Sequence, residues 1–256
     1  MVVLHGGPAA AGEAAPIARG LAERFRVLEP WQRGSGAEPL TVARHIADLY
    51  DLIQAQGTAR PPAIVGESWG AMLALAYAAA HPRDAGPLIL IGCGTFDRAA
   101  RGRLRATLRE RTTPDLRRQL DRLAEEFPDP QDHLGKQFRL MEPIYTFDPL
   151  PQTADPDVPD GLDVRAHTET WEDMVRLQEE GVYPQAFSAI TSPVLMLHGT
   201  YDPHPGKMIR ESLAPHIPQL EYREWEACGH SPWRERAIRD EFFTVMRTWL
   251  ARHVPE

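Results

Sequence analysis

Ser68 stands in Gly66-Glu67-Ser68-Trp69-Gly70, directly after the apolar run Ala63-Ile64-Val65. A serine hydroxyl is a poor nucleophile at neutral pH and needs a base. Among ten histidines, His230 in "CGHSP" follows one predicted strand and precedes the last predicted helix. The base in turn needs an acid to fix its tautomer and stabilise the imidazolium. Asp202, in "LMLHGTYDPH", lies a few residues past another predicted strand end. Attack on a carbonyl also requires two backbone N–H groups aimed at the developing oxyanion. Trp69, next to the nucleophile, and Gly7, in the "HGGP" turn, are the candidates; Pro8 has no N–H to offer. The two glycines of the Ser68 turn have a steric reason, since side chains two residues either side would strike the following helix or the next strand.

These residues need a scaffold that brings distant segments together. Short apolar runs alternate with helical patterns. Strands are predicted at 2–7, 25–30, 62–68, 87–94, 193–199 and 220–226. Helices are predicted at 16–25, 39–57, 71–82, 206–217 and 232–253. This βαβα order describes a parallel sheet with helices on both faces. All three chemical residues then fall at carboxyl ends of strands, where open α/β sheets place their sites. From 96 to 187 no strand is evident. The first part holds nine arginines between Arg98 and Arg122 and reads as helical. The second, 148–180, holds ten acidic residues against Arg165 and Arg176. The core is therefore 1–95 with 188–256, and 96–187 is an inserted helical cap.

The 256 residues suit one α/β domain. A net charge of −8 gives no electrostatic reason to bind nucleic acid or an anionic membrane. Two cysteines, Cys93 and Cys228, make neither a disulfide framework nor a zinc pair, and point to a reducing, cytoplasmic setting. The N-terminal "MVVLHGGP" lacks a basic leader and its apolar run is too short for export.

In the same order as these blocks, "HGGP", "QRGSG" (32–36), "GESWGAMLALAYAAAHP", "HGTYDP" and "CGHSPW" resemble the α/β-hydrolase fold, and within it the proline iminopeptidase-like branch. The resemblance implies Ser68 as nucleophile, Asp202 as acid, His230 as base, and Gly7 with Trp69 as oxyanion donors. It implies a serine hydrolase acting through an acyl-enzyme, with no metal and no cofactor. The substrate is a small carboxylic ester or an amide bearing an N-terminal residue such as proline. An acyl transferase, a C–C bond hydrolase and a silent binding protein are the alternatives on the same fold. Ala9, Trp31 and Glu67 depart from the branch, which usually has glycine, an acid and glycine there. Members usually carry two strands before the "HGG" turn. The chain starts within that strand, so about six strands are expected, with an edge through which a homodimer could form.

Glu67 and Trp171 are the substrate-binding candidates. Glu67 fits an elbow ion pair equally well. Trp171, Met174, Val175 and Leu177 have the helical spacing of residues that pack the cap onto the sheet. The acidic half of the insertion reads as a solvated loop. His5 and His198 read as structural, His81 as a helix end, His204 as an exposed loop residue, and Cys228 as a small buried filler.

Overall fold

The computed structural model describes residues 1–151 and 162–254. Strands β1 (Val2–Leu4), β2 (Ile64–Glu67), β3 (Leu88–Ile91), β4 (Val194–Gly199) and β5 (Leu220–Trp225) form one parallel sheet in that spatial order. Helices α1 (Ala15–Ala22), α2 (Val42–Ala55), α3 (Trp69–Ala80), α8 (Gly206–Leu213) and α9 (Arg239–His253) flank it. Between β3 and β4 lie α4 (Arg98–Arg111), α5 (Pro114–Glu126), α6 (Pro130–Tyr145) and α7 (Val164–Glu179), with no strand among the described residues.

Alternation along each strand divides the core in two. Val2, Leu4, Ile64, Leu88, Leu90, Val194 and Met196 face α2, α3 and α8. Val3, Val65, Ile89, Ile91, Leu195 and Leu197 face α1 and α9. Both faces are covered, so the strands read in sequence as continuous apolar runs. Helix α3 is apolar on every side because it is buried on every side; all ten residues from Trp69 to Ala78 are buried.

Two boundaries differ from the sequence reading. The segment 25–30 contributes a single rung, Leu28 beside Val2, held by Val3 N–H to the Leu28 carbonyl at 2.8 Å and Leu28 N–H to the Met1 carbonyl at 3.0 Å. Pro30, without an N–H, cannot extend that ladder. The sheet thus has five strands and one outer rung. The last helix begins at Arg239, not Pro232. Residues 232–234 form a 3₁₀ turn, and the buried Glu235 carboxylate accepts the N–H groups of Phe147 (2.9 Å), Asp148 (2.8 Å) and Gly229 (2.9 Å) instead of pointing to solvent.

Among the described acids of the insertion's acidic half, Asp148, Glu172, Glu179 and Glu180 are exposed, but three others are tied to the segment leading into α2. Asp163 accepts the N–H (2.7 Å) and the hydroxyl (2.8 Å) of Ser35; Glu169 accepts Leu40 N–H and Asp173 accepts Val42 N–H, each at 2.8 Å. Val42 is the first residue of α2, so Asp173 meets an N–H that the helix cannot satisfy itself. The proline-rich part of that half, 152–161, lies outside the described residues. No described helix is long and apolar enough to cross a membrane. Cys93 and Cys228 are both buried free thiols.

Candidate active site

Ser68 sits at the junction of β2 and α3 with φ +53° and ψ −114°, a left-handed backbone for a residue that carries a Cβ. The glycines around it permit that turn. A Cβ on Gly66 would overlap the carbonyl of Gly70, and a Cβ on Gly70 would overlap the carbonyl of Leu4 at the end of β1. Strand, turn and helix thus meet backbone to backbone. The Ser68 N–H donates to the Ile91 carbonyl (2.8 Å), and the side chain does not cap the helix. The hydroxyl is left uncommitted at the sheet's carboxyl end. Trp69 opens α3, so its N–H has no carbonyl one turn back.

Asp202 is buried and lies at the centre of three imidazoles. Its Oδ2 accepts His230 Nδ1–H at 2.6 Å. Its Oδ1 accepts the backbone N–H of His204 (2.9 Å) and His204 Nδ1–H (3.0 Å). His198 Nε2–H donates to the His204 carbonyl at 3.0 Å and stands 3.1 Å from Oδ2. Burial alone would raise the Asp202 pKa, but the charges of His230, His204 and His198 hold it well below the usual carboxylate range. For His230 burial works against the charged ring. The Asp202 carboxylate and its hydrogen bond outweigh that, helped by Glu67 and Glu13, and push the pKa up to about 9. Asp202, His204 and His230 also bring ligand-type atoms within 4.8 Å of one another. Both rings present protonated Nδ1 donors to carboxylate oxygens, which is the opposite of what a metal ion needs.

His204 therefore departs from the sequence reading. It is stacked on the His230 ring, with centroids 4.8 Å apart and planes at 25°, while Tyr145 from α6 meets the same ring edge-on at 5.6 Å. The Asp-x-His spacing, with a small turn between, was the signal for it. His198, at the end of β4, bonds into this group as well as closing its strand.

The other half of the site is braced by hydrogen bonds from 32. Trp69 Nε1–H donates to Gln32 Oε1 (2.7 Å), Gln32 N–H donates to His5 Nε2 (3.0 Å), and Gln32 Nε2–H donates to the His5 carbonyl (2.9 Å). Since Nε2 accepts, Nδ1 carries the proton and donates to the Gly6 carbonyl at 3.0 Å. His5 is structural, as its sequence context suggested. In the same turn Gly7 has φ +107°, and Ala9 has φ +71°. Ala9 occupies a conformation that glycine takes without strain. Ala9→Gly should raise stability by about 0.5–1 kcal/mol, after glycine's larger entropy loss is deducted. Denaturant midpoints of the two proteins check this.

Residues from the helical insertion reach the site from above. The Arg111 guanidinium, at the end of α4, donates to the carbonyls of Ile144 (2.8 Å) and Tyr201 (2.6 Å) and lies 3.9 Å over the Tyr201 ring. His230 N–H donates to the Tyr145 carbonyl (2.8 Å). Trp171 is half-buried on α7, against the core cluster that contains Trp69, Phe96 and Met174. A surface cavity of about 510 Å³ lies beside the site, between Phe147, Leu150, Tyr201 and Arg234; neither Ser68 nor His230 lines it. Arg111 and Glu235 carry no sequence signal that sets them apart from surface polar residues, and Gln32 opens the "QRGSG" block without a role assigned to it.

Comparison with known proteins agrees with this architecture. A sequence model described as the alpha/beta hydrolase family matches residues 1–240. The crystal structure of VinJ is similar at 20% identity with a TM-score of 0.70, over 99% of this chain and 90% of VinJ. A thermophilic esterase from Thermogutta terrifontis is similar at 20% identity and a TM-score of 0.64, over 99% and 90%. A proline iminopeptidase from Mycobacterium smegmatis is similar at 20% identity and a TM-score of 0.59, over 98% and 89%. At such identities the likeness speaks to the fold. The match to the family, which runs from β1 to the start of the last helix, settles the membership: this chain belongs to the alpha/beta hydrolase family.

Proposed function

We propose that the chain is a serine hydrolase with Ser68 as nucleophile, His230 as base and Asp202 as the acid that orients it. The observation that carries this reading is the strained serine at the β2–α3 turn together with the 2.6 Å His230–Asp202 hydrogen bond at the same end of the sheet. Ser68 Oγ attacks the substrate carbonyl carbon and its proton passes to His230 Nε2. The oxyanion takes hydrogen bonds from Gly7 N–H and Trp69 N–H. His230 returns the proton to the leaving group, an acyl-enzyme remains, and water removes it with His230 again as base. Among the described residues no hydrogen bond joins Ser68 Oγ to His230; such contacts often tighten only once substrate is bound.

Residues 96–187 act in this reading as a cap over 1–95 and 188–256, and the cap sets substrate size. Trp171 is the aromatic residue proposed to border the acyl pocket. The substrate is a small carboxylic ester or an amide with an N-terminal residue. A fluorophosphonate probe tests the chemistry: one adduct should form and map by mass spectrometry to the peptide containing Ser68. Failure of the native chain to react at any pH would sink the assignment. Short acyl nitrophenyl esters compared with proline arylamide then separate esterase from aminopeptidase.

A further inference from the structure

His230 has a second carboxylate besides Asp202. Glu67, one residue before Ser68, is buried, with side-chain exposure of 5%, and places Oε1 3.7 Å from His230 Nε2. Asp202 holds Nδ1, so the imidazole lies between two acids and the nitrogen meant for Ser68 faces one of them. Glu67 Oε2 is buried with no hydrogen-bond partner among the described residues. The turn leaves room for this carboxylate: a Cβ on Gly6 would overlap Oε2 and stand 3.1 Å from Ser68 Cβ. A buried carboxylate with an unmatched oxygen is costly, and the nearest compensating charge is a protonated His230.

We propose that Glu67 is a positioning residue for the base, which holds the imidazolium form of His230 through Nε2 and so decides the pH above which Ser68 is activated. This rests on His230 being the base in the reading above. Burial raises the Glu67 carboxyl pKa, while the His230 charge and, after it, the Gly6 backbone N–H pull it down, with Asp202 opposing. The two charges support each other: the carboxylate favours the proton on His230, and the imidazolium favours the ionised carboxylate. The remaining charges around the pair are few. Asp202 and His204 face the ring from the loop after β4, and Tyr145 faces it from α6. Glu13, from the turn before α1, keeps an exposed edge while protein packs around its carboxyl group. Desolvation, followed by the Glu67 charge, pushes it up to about 7, with His230 and Arg234 opposing. Asp202, Glu67 and Glu13 all favour the imidazolium, in that order.

The test is the pH dependence of fluorophosphonate inactivation in the native chain, Glu67→Gln and Glu67→Asp. Removing the negative charge should move the acid limb to lower pH by about one unit. It should also lower the alkaline plateau by up to about ten-fold, because the imidazolium formed in the transition state loses the same support. Glu67→Asp keeps the charge, and its limb should stay near the native position. A residue with only a packing role would change the plateau without moving the limb. A Glu67→Gln limb that coincides with the native one overturns the proposal. The His230 Hε1 resonance gives a readout independent of catalysis: its titration midpoint should fall in Glu67→Gln, and an unmoved midpoint is equally fatal. Absence of inactivation in the native chain would instead defeat the nucleophile assignment, with the titration still reporting on Glu67.

Discussion

Ser68→Ala should lower kcat by about 10⁶-fold on whichever ester or amide the native chain turns over best. The whole proposed sequence runs through one oxygen, and the alanine variant keeps only binding and the oxyanion donors. Those alone leave a residual acceleration of about 10³–10⁴ over the uncatalysed reaction. The fold should be undisturbed, because Ser68 Oγ makes no helix cap and the strained φ is tolerated by alanine no worse than by serine. Steady-state kinetics with a thermal melt of the same sample gives both answers. A variant that retains more than a few per cent of kcat would place the nucleophile elsewhere.

Asp202→Asn should lower kcat by about 10⁴-fold, through a proton in the wrong place rather than a lost contact. His204 gives Oδ1 two donors, its backbone N–H and Nδ1–H, so the asparagine oxygen belongs there. The amide nitrogen then takes the Oδ2 position and faces His230 Nδ1, while His198 keeps the His204 carbonyl as acceptor. His230 must answer an N–H donor with a bare Nδ1, which puts its proton on Nε2, where it can no longer accept one from Ser68. In the double variant with Ser68→Ala the effects should not add, since both remove the same step. Stability has its own signature. The folded pKa of His230 lies above its ordinary 6.5, so this stabilisation is complete below pH 6.5 and is lost as pH rises through about 9. Asp202, held below its ordinary 3.8, contributes above that value and loses its contribution as pH falls further. The native melting temperature should decline from pH 6.5 to 9, and Asp202→Asn should flatten that decline. Calorimetry at several pH values measures it.

The elements that carry Ser68, Asp202 and His230 were legible because each obeys a local rule. β2 and α3 announce themselves by a short apolar run, two glycines and a helix apolar all round. β4 and β5 end in the turns that hold Asp202 and His230. Legibility failed where a side chain's partner lies far along the chain. Asp163, Glu169 and Asp173 look like solvated acids in sequence, yet their acceptors' work is on the N–H groups of 35–42, more than a hundred residues away. For His204 the Asp-x-His spacing signals only the local contact with Asp202; the stacking on His230 depends on a residue from another loop. The segment 25–30 has the composition of a strand, but among its residues only Leu28 makes a rung with β1. Within the insertion, α5 and α6 begin at Pro114 and Pro130 behind the caps Thr113 and Asp129. These signals mark helix starts without saying where the helices pack.

Arg111 and Glu235 bind the insertion to the chemistry more tightly than a hinged cover would be bound. One guanidinium holds the end of α6 and the loop of Asp202 together; one carboxylate holds 147–148 and the loop of His230. For anyone seeking to change substrate range, the insertion is then a poor cassette. A graft that replaced it between β3 and β4 would leave the acid and base loops without two of their anchors. Point changes that spare Arg111 and 144–148 keep those anchors. Modularity in this chain ends where the insertion and the loops of Asp202 and His230 share the same hydrogen bonds.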